Sequence, residues 1–263
     1  MYHSPNDSGH IKITHRLQKT PIQIYYEVHG NGPQRVLLIM GLSTPCVAWD
    51  YQTKFLVETG DYTVIVFDNR GVGHSDSPIG LYTTTQMALD TFALLDHFGW
   101  KSHVHLVGIS MGGMISLEMV DLQPHRFQSL VLTSTTARRN LPTWKVISTL
   151  ARIMFYKQPQ DQLNAAIELI YPKDWLDQTP QLLSYSSNRE LVIHEFIQQS
   201  KRSRPQPIQG HLGQLAACLG HHVSESRLKH IESTAQFNML IWNCFKGVDM
   251  LFLKSNLRDI IIY

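Results

Sequence analysis

The sequence has few cysteines, almost no net charge and no long apolar run. Its three cysteines are odd in number and far apart, which predicts free, buried thiols in a reducing compartment and no zinc pattern (Cys46, Cys218 and Cys244). The 23 basic and 21 acidic residues give a net charge of +2, which provides no electrostatic reason to expect nucleic acid as a partner. No apolar run approaches the roughly 18 residues of a membrane span. The polar residues Met1 to His10 lack the apolar region of a secretory signal, so we expect a cytoplasmic protein.

Short β-branched runs alternate with longer amphipathic stretches through the first half of the chain. We predict strands where apolar residues are continuous or alternate with polar ones (22–28, 36–40, 62–67, 104–107 and 130–132). We predict helices at Thr83 to Phe98 and at Ser110 to Leu122, where apolar residues recur at helical spacing. Continuous apolar strands are typical of a parallel sheet that is covered on both faces. The pattern therefore predicts a doubly wound, mostly parallel α/β sheet.

The pattern changes near Ala137, and the following stretch is helical and lacks good strands. We predict three regions: an α/β core in residues 1–137, a helical cap insertion in 138–227, and an incomplete return to the core in 228–263. The return begins with a strand at Asn238 to Trp242. Five apolar residues of the predicted cap suggest an apolar lining, although packing between helices is the plainer interpretation (Trp144, Ile153, Phe155, Tyr156 and Trp175).

The run Gly108-Ile109-Ser110-Met111-Gly112 follows the predicted strand 104–107 and opens a predicted helix. A serine on a sharp strand-to-helix turn needs small neighbours, and the helix N-terminus places backbone N–H groups beside its hydroxyl. We therefore predict that Ser110 is a nucleophile and that the N–H of Met111 is one oxyanion donor. The alternative is a turn that happens to hold a serine between glycines.

A second motif, Asp68-Asn69-Arg70-Gly71-Val72-Gly73-His74-Ser75, directly follows the strand 62–67. Together with the serine turn, it makes residues Ile22 to Arg227 resemble the α/β-hydrolase superfamily, in its capped esterase, lipase and C–C-hydrolase branch. The resemblance implies that this loop is structural, so His74 is not expected to be catalytic. It also implies that Leu42 supplies the second oxyanion N–H. Met40 stands where the family often has histidine, and the hydroxyl of Ser43 is either a further donor or an exposed loop group.

The resemblance implies the chain order serine, then acid, then histidine. Asp249 is the nearest acid after the strand 238–242 and is a weak candidate, with a plain surface acid as the alternative. The last of the 14 histidines is His230, so no histidine follows Asp249. The residues after Asp249 are too few for a helix of about 11 residues and a strand of about 5. We therefore expect a truncated C-terminus that lacks the last strand and helix, with a divergent C-terminus as the alternative.

Five other histidines are alternative candidates for the role of catalytic histidine (His103, His105, His211, His221 and His222). The resemblance places the last three on helices in or near the cap, where surface or satisfied histidines are normal. The side chain of His105, on the strand before the turn, is not expected to reach the serine hydroxyl. No residue of the sequence is therefore identified as the catalytic histidine.

The resemblance and the serine turn predict a serine hydrolase that acts on an ester or related acyl bond of a small, mostly apolar substrate. No glycine-rich nucleotide motif or metal-ligand set is present, so we expect no cofactor and no metal. The only expected partner is a small-molecule substrate, and the sequence defines no oligomeric state. Two other hypotheses remain: a non-catalytic protein that uses the pocket to bind a ligand, and a defective truncated product.

Overall fold

The computed structural model describes residues 4–138, 158–180, 185–234 and 238–242, together with Trp144, Ser148, Thr149, Phe155 and Tyr156. The chain divides into two compact units. One unit comprises Met1–Arg139 and Ser203–Tyr263, and the other comprises Asn140–Arg202. The first unit contains the sheet and both sequence motifs. The second overlaps the predicted cap, and the three-region division at residues 137 and 227 stays a prediction.

The described residues of the first unit form a seven-stranded sheet in the order β1-β2-β4-β3-β5-β6-β7. Its strands are β1 (Asp7–His15), β2 (Gln18–His29), β3 (Gln34–Ile39), β4 (Tyr62–Phe67), β5 (Val104–Ile109), β6 (Phe127–Thr133) and β7 (Asn238–Trp242). The β1–β2 and β2–β4 pairs are antiparallel, and every other pair is parallel. The predicted doubly wound, mostly parallel α/β fold is confirmed.

The described residues of the unit that contains the sheet form five helices: α1 (Asp50–Glu58), α2 (Thr84–His97), α3 (Met111–Leu122), α7 (Ile208–Gly220) and α8 (Glu225–Thr234). Short 3-10 turns at Cys46–Trp49 and Pro124–Arg126 precede α1 and β6. The second unit contains α4 (Pro159–Ile170), α5 (Lys173–Leu176) and α6 (Asn188–Lys201). The hydroxyl of Thr83 accepts a hydrogen bond from the Gln86 amide, and this N-cap fixes where α2 begins.

The sheet is apolar on both faces, as the continuous strands predict. On one face, alternate residues such as Leu37, Ile65 and Leu106 join α2 and α3 in the largest buried cluster. On the other, Val36, Leu38 and Val64 pack with Trp49 in a smaller buried cluster. The carboxyl ends of the parallel strands meet at one edge of this layer, which is where loops of α/β sheets bind ligands.

The first strand is a correction to the sequence prediction, which treated Met1 to His10 as a polar terminus only. Strand β1 pairs with β2 along almost its whole length, from Asp7 opposite Val28 to His15 opposite Gln18. Only Ile11 and Ile13 of β1 are buried. The alternation of these two apolar residues with polar ones is the sequence pattern that indicates this strand. Strand β1 lies at the edge of the sheet, and its remaining residues are exposed or half-buried.

Candidate active site

Ser110 occupies the turn between β5 and α3 in a backbone conformation that is rare for a residue with a side chain. Its φ is 53° and its ψ is −118°. Three hydrogen bonds hold this conformation: the Ser110 amide donates to the Thr133 carbonyl at 2.9 Å, and the Ser110 carbonyl accepts from the Thr135 hydroxyl at 2.7 Å and from the Met114 amide at 3.1 Å. Such strained residues persist only where the surrounding contacts determine them, and they concentrate at functional sites.

The glycines around Ser110 are required by close packing. A Cβ on Gly108 would collide with the Ser116 hydroxyl, and a Cβ on Gly112 would collide with the Ile39 carbonyl oxygen. A Cβ on Gly113 would lie 2.6 Å from the Thr135 side chain. Any larger residue would therefore push α3 away from β3, β5 or the segment after β6. The glycine pattern in the sequence reports this close approach of helix and strands.

The loop after β3 lies directly against Ser110. A Cβ on Gly41 would be 3.2 Å from the Ser110 Cβ and 3.8 Å from its Oγ. The next amide in this loop is that of Leu42, and the first amide of α3 is that of Met111. Within the described part of the chain, neither of these two amides has a hydrogen-bond partner. The Ser43 amide, in contrast, donates to Oε1 of Gln214 at 2.8 Å.

The Ser110 hydroxyl makes no hydrogen bond to a described residue. It stands at the N-terminus of α3, where unpaired amides and the helix dipole favour negative charge. A nucleophile together with two amide donors is the minimum arrangement for holding a tetrahedral oxyanion. The described residues thus bring together Ser110 and the segments that carry Leu42 and Met111. Asp249 lies outside the described residues.

The Asp68 loop is a buried hydrogen-bonded turn. The Asp68 carboxylate accepts from the Cys46 amide at 2.7 Å and the His74 amide at 2.8 Å, and the Asp68 carbonyl accepts from the Ser75 hydroxyl at 2.6 Å. Burial raises the pKa of Asp68, against the opposing effect of those amide donors. The ring of His74 lies 5.0 Å from that of Tyr25 on β2, centroid to centroid.

Four of the five alternative histidines have defined side-chain partners in the sheet-containing unit, among them His103, whose Nδ1 lies 3.0 Å from the Ser102 Oγ. His211, on α7, shares a hydrogen bond of 2.7 Å between its Nδ1 and the Ser43 Oγ. His221 is 2% exposed and shares one of 2.9 Å with the Thr84 hydroxyl, and burial lowers its pKa to about 4. His105 contacts Ser129 at 2.8 Å. The His211 contact was missed by sequence reasoning, and no local pattern could have revealed it because the two residues are 168 positions apart.

Four of the five residues of the predicted apolar lining fall within the described residues. Trp144 and Phe155 are exposed, and Trp175 stacks on Tyr171 with ring centroids 5.2 Å apart. Tyr156 is half-buried, and Ile153 lies outside the described residues.

Two of the predicted cysteines fall within the described residues. Cys46 is a buried free thiol, while Cys218 is free and only partly buried. Cys244 lies outside the described residues. Among the residues that the structure describes, no group of three or more His, Cys, Asp or Glu side chains is placed to hold a metal ion. Every helix in this part of the chain is too short or too polar to cross a membrane.

Comparison with known proteins places this geometry in a family. A sequence model of the alpha/beta hydrolase fold matches residues 34–211. The protein named as carbamate hydrolase RutD of Azorhizobium caulinodans is 29% identical over 171 residues, which cover 65% of this chain and 63% of that protein. The 3-oxoadipate enol-lactonase 2 of Acinetobacter baylyi is 30% identical over 145 residues, or 54% of this chain and 52% of that protein.

The solved structures agree on the fold. A thermophilic esterase from Thermogutta terrifontis superposes with a TM-score of 0.67 at 22% identity, covering 89% of this chain and 79% of that one. The chain spans less than two thirds of the length of the two curated relatives. The family match covers more than half of the chain and includes both the Asp68 loop and the turn at Ser110. This chain belongs to the alpha/beta hydrolase fold family.

Proposed function

We propose that this chain carries the nucleophile and the oxyanion hole of a serine hydrolase that cleaves an ester or related acyl bond of a small, mostly apolar substrate. Ser110 attacks the carbonyl carbon, and the amides of Leu42 and Met111 hold the oxyanion. The observation that supports this most directly is the strained backbone of Ser110, which lies at the start of α3 and packs against Gly41. Backbone strain of this kind concentrates at functional sites and persists where the surrounding contacts determine it.

The relatives support the acyl class of substrate. They are named for hydrolysis of a carbamate, an enol lactone and an ester. All three substrates have a carbonyl carbon bonded to a heteroatom that leaves when a nucleophile attacks. An oxyanion hole stabilises the tetrahedral intermediate that is common to these reactions.

The base is the weak part of the site. No histidine lies between Ile231 and Tyr263, and Asp249 is only a candidate for the acid. Loss of the base from a serine triad lowers turnover on the order of a millionfold, while the oxyanion hole and substrate binding retain roughly a thousandfold over water. We propose that this polypeptide acylates slowly and deacylates slowly, so that an activated ester leaves a trapped acyl group on Ser110.

Incubation with p-nitrophenyl acetate followed by peptide mass spectrometry tests this proposal. The Ser110 Oγ bonds to the acetyl carbon, p-nitrophenolate leaves, and the serine proton passes to solvent. We expect an acetyl group at Ser110, while steady-state release of p-nitrophenol is no faster than in Ser110→Ala. Ser134→Ala is the matched control, because Ser134 also has a positive φ, of 47°, but the described residues directly after it, up to Arg138, do not form a helix. Acetylation at Ser110 no greater than at Ser134 would refute the proposal.

The second candidate is a non-catalytic protein that uses the same pocket to bind a ligand. The observation that favours it is that, among the described residues, no histidine hydrogen-bonds to the Ser110 hydroxyl. It predicts saturable binding of a small ester or carboxylate, without acetylation of Ser110. The same mass-spectrometric experiment therefore separates the two functions.

A further inference from the structure

The contact between Ser43 and His211 joins the loop beside Ser110 to helix α7. Ser43 lies two residues after Gly41, and its Oγ is 2.7 Å from Nδ1 of His211. Two residues of chain span at most about 7 Å, so Ser43 stays close to the glycine that contacts Ser110. The amide and the hydroxyl of Ser43 both have partners, Gln214 and His211, and neither partner is Ser110.

The backbone of Ser43 is held in a conformation that favours glycine. Its φ is 58°, in the left-handed region that residues with a Cβ rarely adopt. The amide of Ser43 donates to the fully buried side chain of Gln214 at 2.8 Å, and the Gln214 amide group donates to the Arg70 carbonyl at 2.8 Å. A glycine would relieve this strain. A serine at this position therefore costs conformational free energy that a glycine would not. The hydrogen bond between its hydroxyl and His211 is the feature that offsets this cost.

Helix α7 packs closely against Gly71 and Tyr82 because two of its own residues, Gly210 and Gly213, have no side chain. A Cβ on Gly210 would collide with the Gly71 carbonyl oxygen, and a Cβ on Gly213 would lie 2.6 Å from the ring of Tyr82. The Tyr82 amide also donates to the Gly213 carbonyl at 3.3 Å. This packing positions His211, the residue after Gly210, against Ser43.

The chemistry of the pair depends on which group donates. Burial lowers the pKa of His211, so its imidazole is neutral at pH 7 and has one donor nitrogen and one acceptor nitrogen. If Nδ1–H donates to the Ser43 Oγ, the hydroxyl proton of Ser43 is free to donate to a ligand. A hydroxyl oriented in this way resembles the amides of an oxyanion hole, because its donor is in place before the charge develops.

We propose that Ser43, positioned by His211, donates a third hydrogen bond to the carbonyl oxygen of the substrate while Ser110 attacks it. The inference rests on the proposed function and adds a side-chain donor to the amides of Leu42 and Met111. Ser43 is then a catalytic residue and His211 a positioning residue. The substrate class remains an acyl compound whose carbonyl oxygen becomes negatively charged.

The rate at which p-nitrophenyl acetate acetylates Ser110 tests the inference, followed by mass spectrometry over time. Ser43→Gly suits the local φ, so we expect an unchanged or higher melting temperature and acetylation slower by about 10- to 100-fold. His211→Leu should slow acetylation similarly. His211→Asn should restore most of that rate, because its side-chain amide provides a donor near the position of Nδ1. His222→Leu is the control, since His222 is exposed and directly follows His221.

Three outcomes would overturn the inference. Acetylation of Ser43→Gly at the parental rate would show that the hydroxyl is not used. Equal slowing by His211→Asn and His211→Leu would show that the donor at Nδ1 is not what matters. Absence of acetylation at Ser110 in the parent would remove the proposed function itself, and this inference with it, whereas the first two outcomes leave the proposed function intact.

Discussion

The ion pair between Arg70 and Asp90 joins the Asp68 loop to α2 and gives the most direct test of what holds this fold together. The two side chains are 1% and 3% exposed, and two hydrogen bonds of 2.6 Å connect the guanidinium to the two carboxylate oxygens. Gln18 accepts from the same guanidinium at 2.9 Å, and His15 contacts Asp90 at 2.9 Å. The pair is therefore both buried and almost fully hydrogen-bonded.

We expect Asp90→Asn to lower the free energy of unfolding by about 3–5 kcal/mol, because it leaves a buried guanidinium without its counter-charge. That loss is a large part of the roughly 5–15 kcal/mol that stabilises a typical protein. The double variant Arg70→Met with Asp90→Leu should lose less than Asp90→Asn alone, since no charge is then buried. Denaturant unfolding followed by tryptophan fluorescence measures each free energy.

A surface pair provides the control for this prediction. Lys54 and Glu58 lie 3.6 Å apart on α1 with side chains 41% and 62% exposed. Glu58→Gln should change the free energy of unfolding by less than about 0.5 kcal/mol. Two results would contradict the explanation by a buried, uncompensated charge. One is that Asp90→Asn lowers the free energy of unfolding no more than Glu58→Gln does. The other is that the double variant loses as much free energy as the two single substitutions added together.

Three further predictions concern pH, packing and the loop beside Ser110. His221 titrates near 6.5 when unfolded and at about 4 when folded, so between these values only the unfolded chain binds the proton. The parent should therefore lose up to about 3 kcal/mol relative to His221→Gln as the pH falls from 7 to 4, measured by denaturant unfolding at each pH. A parallel pH dependence in the two proteins would contradict this. Gly112→Ala should give little soluble protein in expression trials, since its Cβ would collide with the Ile39 carbonyl oxygen. Gln214→Leu removes the acceptor of the Ser43 amide at a fully buried position and should cost about 1–3 kcal/mol, whereas an unchanged denaturation midpoint would exclude that role.

The sequence predicted those parts of the fold whose evidence is local. Strands β3, β4 and β5 are mostly apolar and lie between packed helices, and their bounds agree with the prediction to within about two residues. The turn at Ser110 was predictable for the same reason, since its glycines are neighbours in the sequence. Strand β1 was missed because it is mostly polar, and an edge strand needs only one apolar side.

The contacts that depend on tertiary packing could not be predicted. His211 meets Ser43 across 168 positions, and the sequence placed His211 within a predicted cap of 138–227. In the structure, α7 belongs to the same compact unit as the sheet. The close approach of Gly71 and Gly210 determines this contact, and each glycine on its own is only a small residue in a loop or helix.

The contacts that hold the turn at Ser110 explain why this chain can have the fold of its family whether or not it turns over a substrate. The conformation of Ser110 is held by hydrogen bonds from Met114 and Thr135, by its own bond to Thr133, and by the close packing of glycines. None of these contacts involves a histidine, so the turn keeps its shape whether or not a base is present. Acylation of Ser110 by p-nitrophenyl acetate needs the turn and the oxyanion donors but no general acid, because p-nitrophenolate leaves without a proton. A base is still needed to take the serine proton in this step and to activate water when the acyl group is released. The rates of both steps therefore depend on a part of the catalytic machinery that the turn does not contain, whereas the site of acylation depends on the turn.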